Sequence, residues 1–294
     1  MALNVTGLTD YVNVHKDELL VKAVADAKTL RYIDIMPNVK YKEAIPYLES
    51  EVVLQDGSHC KLTTAGTDTF SERYIETKAV AVFKDFCWKD FEKKAQNYQL
   101  MWEAGRETLP FEEKIQQSNV AAIQAKVEDL VWQGDSGLSI SGITEVATSE
   151  GTVVSATTSA STIAERIDAA LEALPNSAYK KGINVFMSYT DFRAYIKALN
   201  STCCANRPIQ DGAVDELAYP YDSRVLIVPV EGLEGTGKIV AASKDAIVYG
   251  CDVDEDSSKA YRFWFEEKED LFYFKVLFRA GIALRWPDEV AIEG

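Results

Sequence analysis

The chain has 294 residues, 47% of them apolar by the AVILMFWYC count and 26% charged, which is globular composition with ample material for a core. Thirty-one Lys and Arg against 46 Asp and Glu leave a formal net charge of −15, so the chain repels phosphate backbones and is a poor candidate for free nucleic-acid binding. No apolar run approaches the ~18 residues of a membrane span, MALNVTGLTD has no secretory character, and five cysteines without framework spacing point to a soluble protein of a reducing, intracellular compartment.

The first 45 residues carry six bases and six acids and are neutral, while the acid excess lies beyond them. A helix is expected from about Asp17 to Ala27, after which Pro37 and Pro46 keep the chain extended. From 47 to 83 the pattern is β-like. Glu51–Gln55 meets Asp56-Gly57, a hairpin signal, and Arg73–Phe83 alternates with Tyr74, Glu76, Lys78, Val80 and Val82 on one side. Such a hairpin has too few bulky apolar residues to bury itself and needs a neighbour.

From Asp90 the period becomes helical, with Phe91, Ala95, Tyr98 and Trp102 on one face and Gly105 as terminator. Thr108 and Pro110 open a second helix with Glu112 and Glu113 in its first turn. Its apolar positions Phe111, Ile115, Ala122, Val127 and Leu130 run on to Trp132, and it stops at Gln133-Gly134-Asp135. At about 22 residues, or roughly 33 Å, it has the length of a spine.

Residues 134–160, rich in Gly, Ser and Thr, read as a loop between lobes. Thr162 with Glu165 forms a capping box ahead of Ile163, Ile167, Ala170, Leu171 and Leu174, and Pro175 ends that helix. Ile183–Met187 reads as a buried strand, and Ser188 with Asp191 opens a helix burying Phe192, Tyr195, Ile196 and Leu199. Strands follow at Val225–Val230, Lys238–Ala242, Ala246–Val253, Ala260–Glu266 and Leu271–Leu284, the last two joined by a charged turn, Glu267-Lys268-Glu269-Asp270. The aromatic residues here, Tyr261, Phe263, Trp264, Phe265, Phe272, Tyr273, Phe274, Phe278 and Trp286, alternate between faces, so both faces of the sheet need cover. The spine helix can supply one cover; a neighbouring subunit or the same chain can supply the other.

Chemistry-bearing motifs are few. Gly232–Lys238 matches G-x-x-x-x-G-K directly after a strand, but Ile239 stands where a P-loop has Ser or Thr. A strand follows it instead of a helix, and Glu231 and Glu234 put negative charge where phosphates would sit. A glycine-rich interlobe connection is the plainer reading. His15 and His59 are far apart, His59-Cys60 has the wrong geometry for one metal site, and vicinal Cys203-Cys204 reads as buried thiols. Asp252-Val-Asp254-Glu255-Asp256 lacks the central Gly and distal Glu of an EF-hand and reads as a solvated turn. No catalytic, cofactor-binding or metal-ligating residue is therefore assigned, and no enzymatic activity is expected.

Taken in order, the segments resemble the major capsid proteins of tailed bacteriophages with the Hong Kong 97-type (HK97-like) fold, over nearly the whole chain. The likeness is carried by Glu128-Asp-Leu-Val-Trp-Gln-Gly134-Asp135 with Gly137 and Gly142, and by Asn184-Val-Phe-Met-Ser-Tyr-Thr-Asp-Phe-Arg-Ala-Tyr195. Gly237-Lys-Ile-Val-Ala-Ala-Ser-Lys-Asp-Ala-Ile-Val-Tyr-Gly250-Cys-Asp252, Phe274-Lys-Val-Leu-Phe-Arg-Ala-Gly281 and Trp286-Pro-Asp-Glu-Val290 complete it. The resemblance implies an α+β fold: an N-terminal arm (1–46), an extended β-hairpin loop (47–84), a β-rich peripheral domain with the spine helix (85–137 and 235–294) and an inserted α/β axial domain (138–234).

It also implies a structural protein of the virion, assembled in the host cytoplasm as a homo-oligomer of pentamers and hexamers in an icosahedral shell around weakly, non-specifically contacted double-stranded DNA, with a portal. No membrane is involved. A neutral arm suits strapping onto adjacent subunits. An encapsulin-type nanocompartment shell is the alternative, and a P-loop enzyme using Gly232–Lys238 a distant third. Some family members cross-link a hairpin lysine to an asparagine of the terminal domain; residues 235–294 contain no asparagine, so no such bond is expected there. About 46 residues precede the hairpin, which implies a separate scaffolding protein.

Overall fold

The computed structural model describes residues 27–50, 52–54, 66, 68–87, 111–154, 162–201, 216–252, 260–269 and 271–294, with Leu19, Lys22 and Val24 placed individually. One of its two large sheets is built around a 14-residue strand. In chain order the elements begin with β1 (Asp34–Pro37), β2 (Lys42–Ser50), β3 (Asp68–Glu76) and β4 (Lys78–Cys87), followed by helix α1 (Phe111–Gln133). A short hairpin, β5 (Gly134–Asp135) and β6 (Ile140–Ser141), leads to α2 (Ile143–Glu150) and β7 (Thr152–Val154). Next come α3 (Ile163–Glu172), α4 (Asn176–Lys181), β8 (Ile183–Ser188), α5 (Tyr189–Ser201), β9 (Leu217–Tyr219) and β10 (Asp222–Val230). The chain closes with β11 (Ile239–Ser243), β12 (Ile247–Asp252), β13 (Tyr261–Glu266), β14 (Leu271–Leu284) and β15 (Val290–Glu293).

β14 alternates as its sequence requires: Phe272, Phe274, Val276, Phe278 and Ala280 are buried, while Leu271, Tyr273, Lys275, Leu277 and Arg279 are half-buried on the other face. β4 runs antiparallel along one edge over Leu271–Ala280. The other edge is shared by β13 over Leu271–Val276 and β12 over Arg279–Leu284. β1 adds in parallel to β12. The expected hairpin of the last two long strands is present, and the turn residues Glu267, Lys268 and Glu269 are exposed.

α1 covers the inner face. Its buried stripe is Gln116, Asn119, Val120, Ile123, Val127, Glu128, Val131 and Trp132, a helical i, i+3, i+4 series. The expected stripe was shifted: Ala122 is exposed, and Ile115 and Leu130 are only half-buried. Three polar residues occupy the buried face and disguised it; one of them, Gln116, accepts a hydrogen bond from the Tyr261 hydroxyl at 2.8 Å. The helix stops where expected, at Gly134, whose φ of +72° suits the residue after a helix C-terminus. The first helix read from Asp90 lies outside the described residues.

The second sheet has the order β7-β15-β11-β8-β10-β9. Ile183, Val185 and Met187 of β8 face α3 and α5, packing with Ile167, Leu171, Phe192 and Tyr195. Phe186 points the other way, with its ring 5.0 Å from that of Trp132, so one core runs from the first sheet through the end of α1 into the second. Thr162 caps α3 with Glu165 in a full capping box, and the Ser188 hydroxyl accepts from the Asp191 N–H at 3.0 Å at the start of α5.

Several expectations shift. Residues 134–154 are not a loop: Ile140, Ile143 and Ala147 are buried and build β6 and α2, and the Thr144 hydroxyl donates to the Trp132 carbonyl at 2.8 Å. Small residues there permit close packing, which composition alone reads as a loop. The hairpin that leaves the body is β2–β3, paired from Lys42↔Glu76 to Ser50↔Asp68, and residues 78–87 belong to the first sheet instead. The chain after residue 234 contributes to both sheets, because β11 and β15 flank each other in the second. At the N-terminal end Leu19, Val24, Ala27 and Leu30 are buried in the chain's own core. Among the described residues no helix is long and apolar enough to cross a membrane.

Candidate assembly surface

The β2–β3 hairpin pairs with no other strand among the described residues. Its base is anchored to the body. Ile45 and Ile75 are buried with Val39, Val248 and Ala283 in a small cluster beside the first sheet. The Thr77 hydroxyl donates to the Val39 carbonyl at 2.7 Å, and its N–H donates to the Tyr41 carbonyl at 2.8 Å. Arg73 ties the hairpin to the body, donating to Glu150 at 2.6 Å and to the Leu284 carbonyl at 3.2 Å. Beyond β2, Val52 and Leu54 are 76% and 92% exposed. Two aliphatic side chains in water at the end of an extended element are the pattern of a surface awaiting a partner.

The outer face of the first sheet is the second such surface. Phe83 of β4 stacks on Tyr273 of β14 with centroids 5.4 Å apart, and Tyr273 stacks on Trp264 of β13 at the same distance. Arg262 lies over Trp264 at 5.2 Å and Arg279 over Tyr41 at 4.3 Å, capping the aromatic row with cations. Phe83 is 59% exposed and Tyr41 71% exposed. A hydrogen bond to Glu269 pushes the Tyr273 phenol up to about 12, so this face keeps a neutral hydroxyl throughout the physiological range. Both faces of the sheet thus carry aromatics, as alternation demands, and α1 covers only one.

The remaining sequence-level candidates fall away or lie elsewhere. Gly232–Lys238 forms a short 3₁₀ turn and a bend packed on the end of α1: a Cβ on Gly232 would stand 2.5 Å from the Trp132 ring, and the Gln133 amide donates to the Gly232 carbonyl at 2.9 Å. β11, not a helix, follows it, and Glu234 accepts from the Thr190 N–H and hydroxyl. Phosphate has no cradle there. His15, His59, Cys60, Cys203, Cys204 and Asp254–Asp256 lie outside the described residues. Cys87 is exposed; Cys251 is buried, and burial pushes its thiol up. Among the described residues no group of three His, Cys, Asp or Glu could hold a metal ion.

Sequence reasoning missed Arg73, Glu150 and the part played by Phe83. One signal was available: isolated glycines inside strand patterns, Gly250 and Gly281, mark a close approach of backbone, and they lie under the hairpin base.

No protein-family model matches the sequence, and no curated protein matches it. Solved structures do match in fold. A chain described as Microbacterium phage Oxtober96 aligns with a TM-score of 0.57 at 11% identity, covering 91% of this chain and 90% of that one. The satellite phage P4 procapsid including its size determination (Sid) protein gives 0.57 at 11% identity, covering 98% and 95%. A virus-like particle from Pyrococcus furiosus gives 0.54 at 10% identity, covering 94% and 96%. At such identities the likeness is one of fold, and it extends over nearly the whole length of each partner.

Proposed function

We propose that this chain, whose fold is the Hong Kong 97-type capsid fold, is the major shell subunit of a tailed-phage head, assembling into pentamers and hexamers of an icosahedral container around double-stranded DNA. In this reading β2–β3 is the extended loop, α1 the spine, the first sheet the peripheral domain, and the second sheet with α3, α4 and α5 the axial domain. The observation that carries it is the near-complete match of fold with phage and particle structures, which covers nine-tenths or more of both chains. The exposed aliphatic side chains of Val52 and Leu54 and the aromatic face with exposed Phe83, which no described element covers, support it physically, since many modest contacts closed by symmetry stabilise a shell without any single tight interface. A net charge of −15 suits a container whose contents are a polyanion held without adhesion. A separate scaffolding protein and a portal belong to the same reading.

Negative-stain microscopy of the purified protein is the test. Capsomers and shell-like particles of mixed size are expected from the chain alone, and uniform closed particles only with its scaffolding protein; their formation is helped by moderate salt, which screens the repulsion between acidic subunits. A monodisperse monomer at all salt concentrations, with or without the other head proteins of its source, overturns the reading. A nanocompartment enclosing protein cargo is the second reading, supported by the likeness to a virus-like particle; particles from the native source that hold protein and no nucleic acid would select it. The substitution Lys238→Ala separates both from an enzyme, since a shell assembles unchanged and shows no nucleotide affinity.

A further inference from the structure

Three carboxylates are buried among the described residues: Glu128, Glu289 and Glu293. Two of them face a cation. Lys181 donates to both oxygens of Glu289, at 2.9 and 2.8 Å, and Arg166 donates to Glu293. Glu128 has no ion pair among the described residues. Its oxygens accept from the Thr29 N–H at 3.2 Å and from the Thr29 hydroxyl, and that hydroxyl in turn accepts from Trp132 Nε1 at 2.7 Å.

The elements packed around Glu128 bring little compensating charge. On the N-terminal segment Lys28 exerts an attraction, but its ammonium donates to the Tyr189 hydroxyl at 3.2 Å and stands 5.1 Å from that ring's centroid. On α1 itself Lys126 and Asp129 pair with each other at 2.9 Å in solvent. The 231–233 turn packs its backbone against this end of α1 and contributes Glu231, which is exposed and of like sign. An anionic Glu128 is thus desolvated and answered by hydrogen-bond donors and by the attraction of Lys28, with no cation paired to it among the described residues, in the place where residues 27–31 join the spine. Leu30 and Ala27 enter the core on either side of this junction.

We propose that Glu128 is a pH-sensitive clasp between the N-terminal segment and α1. Protonated, it holds Thr29 as a neutral hydrogen-bonded pair; ionised, it becomes a buried anion whose desolvation outweighs the donors around it, and residues 27–31 separate more easily from the helix. The sign follows from burial, the largest cause, which pushes the Glu128 carboxyl above its ordinary range against the opposing hydrogen bonds from Thr29. The folded clasp therefore binds its proton more tightly than the unfolded chain. Its stabilisation is complete below the ordinary glutamate value of about 4.3 and is lost as pH rises through the elevated one. The proposal concerns a single chain and does not depend on the shell reading.

Amide exchange over residues 27–31, corrected for the intrinsic effect of pH and referred to α3, tests it on the full, dissociated chain from about pH 4 to about pH 8. The wild-type protein is expected to lose protection as pH rises, by about tenfold for each pKa unit of elevation. Glu128→Gln, which keeps an acceptor for the Thr29 N–H, is expected to hold one level of protection throughout, and Thr29→Ser to retain the wild-type slope. A flat wild-type profile, or an equal slope in wild type and Glu128→Gln, overturns the proposal. Should Glu128→Gln fail to fold, an NMR titration of the wild-type side chain decides: a carboxyl titrating at or below the ordinary value overturns it.

Discussion

Gly250 of β12 and Gly281 of β14 are register partners, and together they leave a notch into which the base of the β2–β3 hairpin presses. A Cβ on Gly281 would stand 2.1 Å from the Glu76 carbonyl oxygen, a rigid backbone atom. A Cβ on Gly250 would meet Ile75 Cδ1 at 2.7 Å, the free end of a flexible side chain. The two substitutions to alanine are therefore unequal. Gly281→Ala is expected to cost about 3 kcal/mol, the upper end of overpacking penalties, because the hairpin must move. Gly250→Ala is expected to cost less, and to be relieved by Ile75→Val in the same chain. Urea denaturation midpoints of the three variants check this; equal losses for the two single substitutions would contradict it.

Arg73 holds the same hairpin by a different means. Its guanidinium bridges Glu150 on α2 and the Leu284 carbonyl at the end of β14, and both charged side chains remain partly in solvent. A half-exposed pair contributes on the order of 0–1 kcal/mol to global stability, so Arg73→Met is expected to leave the melting temperature nearly unchanged. What it changes is local. Amide exchange across β2 and β3 rises and the hairpin becomes easier to cleave, while β4 keeps its protection through its ten register pairs with β14. Equal acceleration in β4 would show that Arg73 holds the whole sheet and not the hairpin.

Much of this architecture can be read from the residues, and the parts that cannot have identifiable causes. Apolar runs, alternation and the 3.6 period mark β8, β10, β13, β14, α3 and α5, because β8 is apolar on both faces, α3 and α5 carry one apolar face behind a Thr or Ser cap, and a charged turn separates β13 from β14. The long β14 is legible from Leu271 to Leu284 for the same reason. α1 is legible in extent but not in orientation, since Gln116, Asn119 and Glu128 face inward and satisfy partners that only the folded chain brings near. The sheet exchange of β11 and β15 is invisible in sequence, because strand partnership at a separation of some fifty residues leaves no local mark. The assembly surface is half legible. Alternation shows that a second aromatic face exists, but the row Phe83–Tyr273–Trp264 requires the register between β4 and β14, which pattern alone does not supply.

Arg166 and Glu293 form the buried pair that fixes the last strand. Glu293 is 0% exposed, and Arg166 from α3 also donates to the Gly237 carbonyl at 2.5 Å, so one side chain joins α3, β15 and the interlobe bend. Removing one partner strands the other. Arg166→Ala is expected to destabilise by about 3 to 5 kcal/mol, whereas Arg166→Met with Glu293→Met in one chain recovers most of that loss. A double-mutant cycle in denaturant measures it. Additive losses would mean that the pair acts as two independent packing residues.

The hairpin end offers the sharpest separation of folding from assembly. Leu54 is 92% exposed and Val52 76% exposed, so in the isolated chain neither side chain gives up packing when replaced. Leu54→Asp and Val52→Asp are accordingly expected to shift the melting temperature of the dissociated subunit little, surface changes of this kind lying within about 0.5 kcal/mol. If these side chains are buried on assembly, each substitution places a desolvated charge in an apolar contact repeated at every copy, and the cost multiplies around the shell. Particle yield by sedimentation is expected to collapse while circular dichroism and melting of the subunit remain those of the wild type. A control at Glu43, exposed near the hairpin base, is expected to assemble normally as Glu43→Gln. Wild-type yields from both tip variants would remove the hairpin from the assembly contacts and leave the aromatic face of β4, β13 and β14 as the surface to examine by the same means.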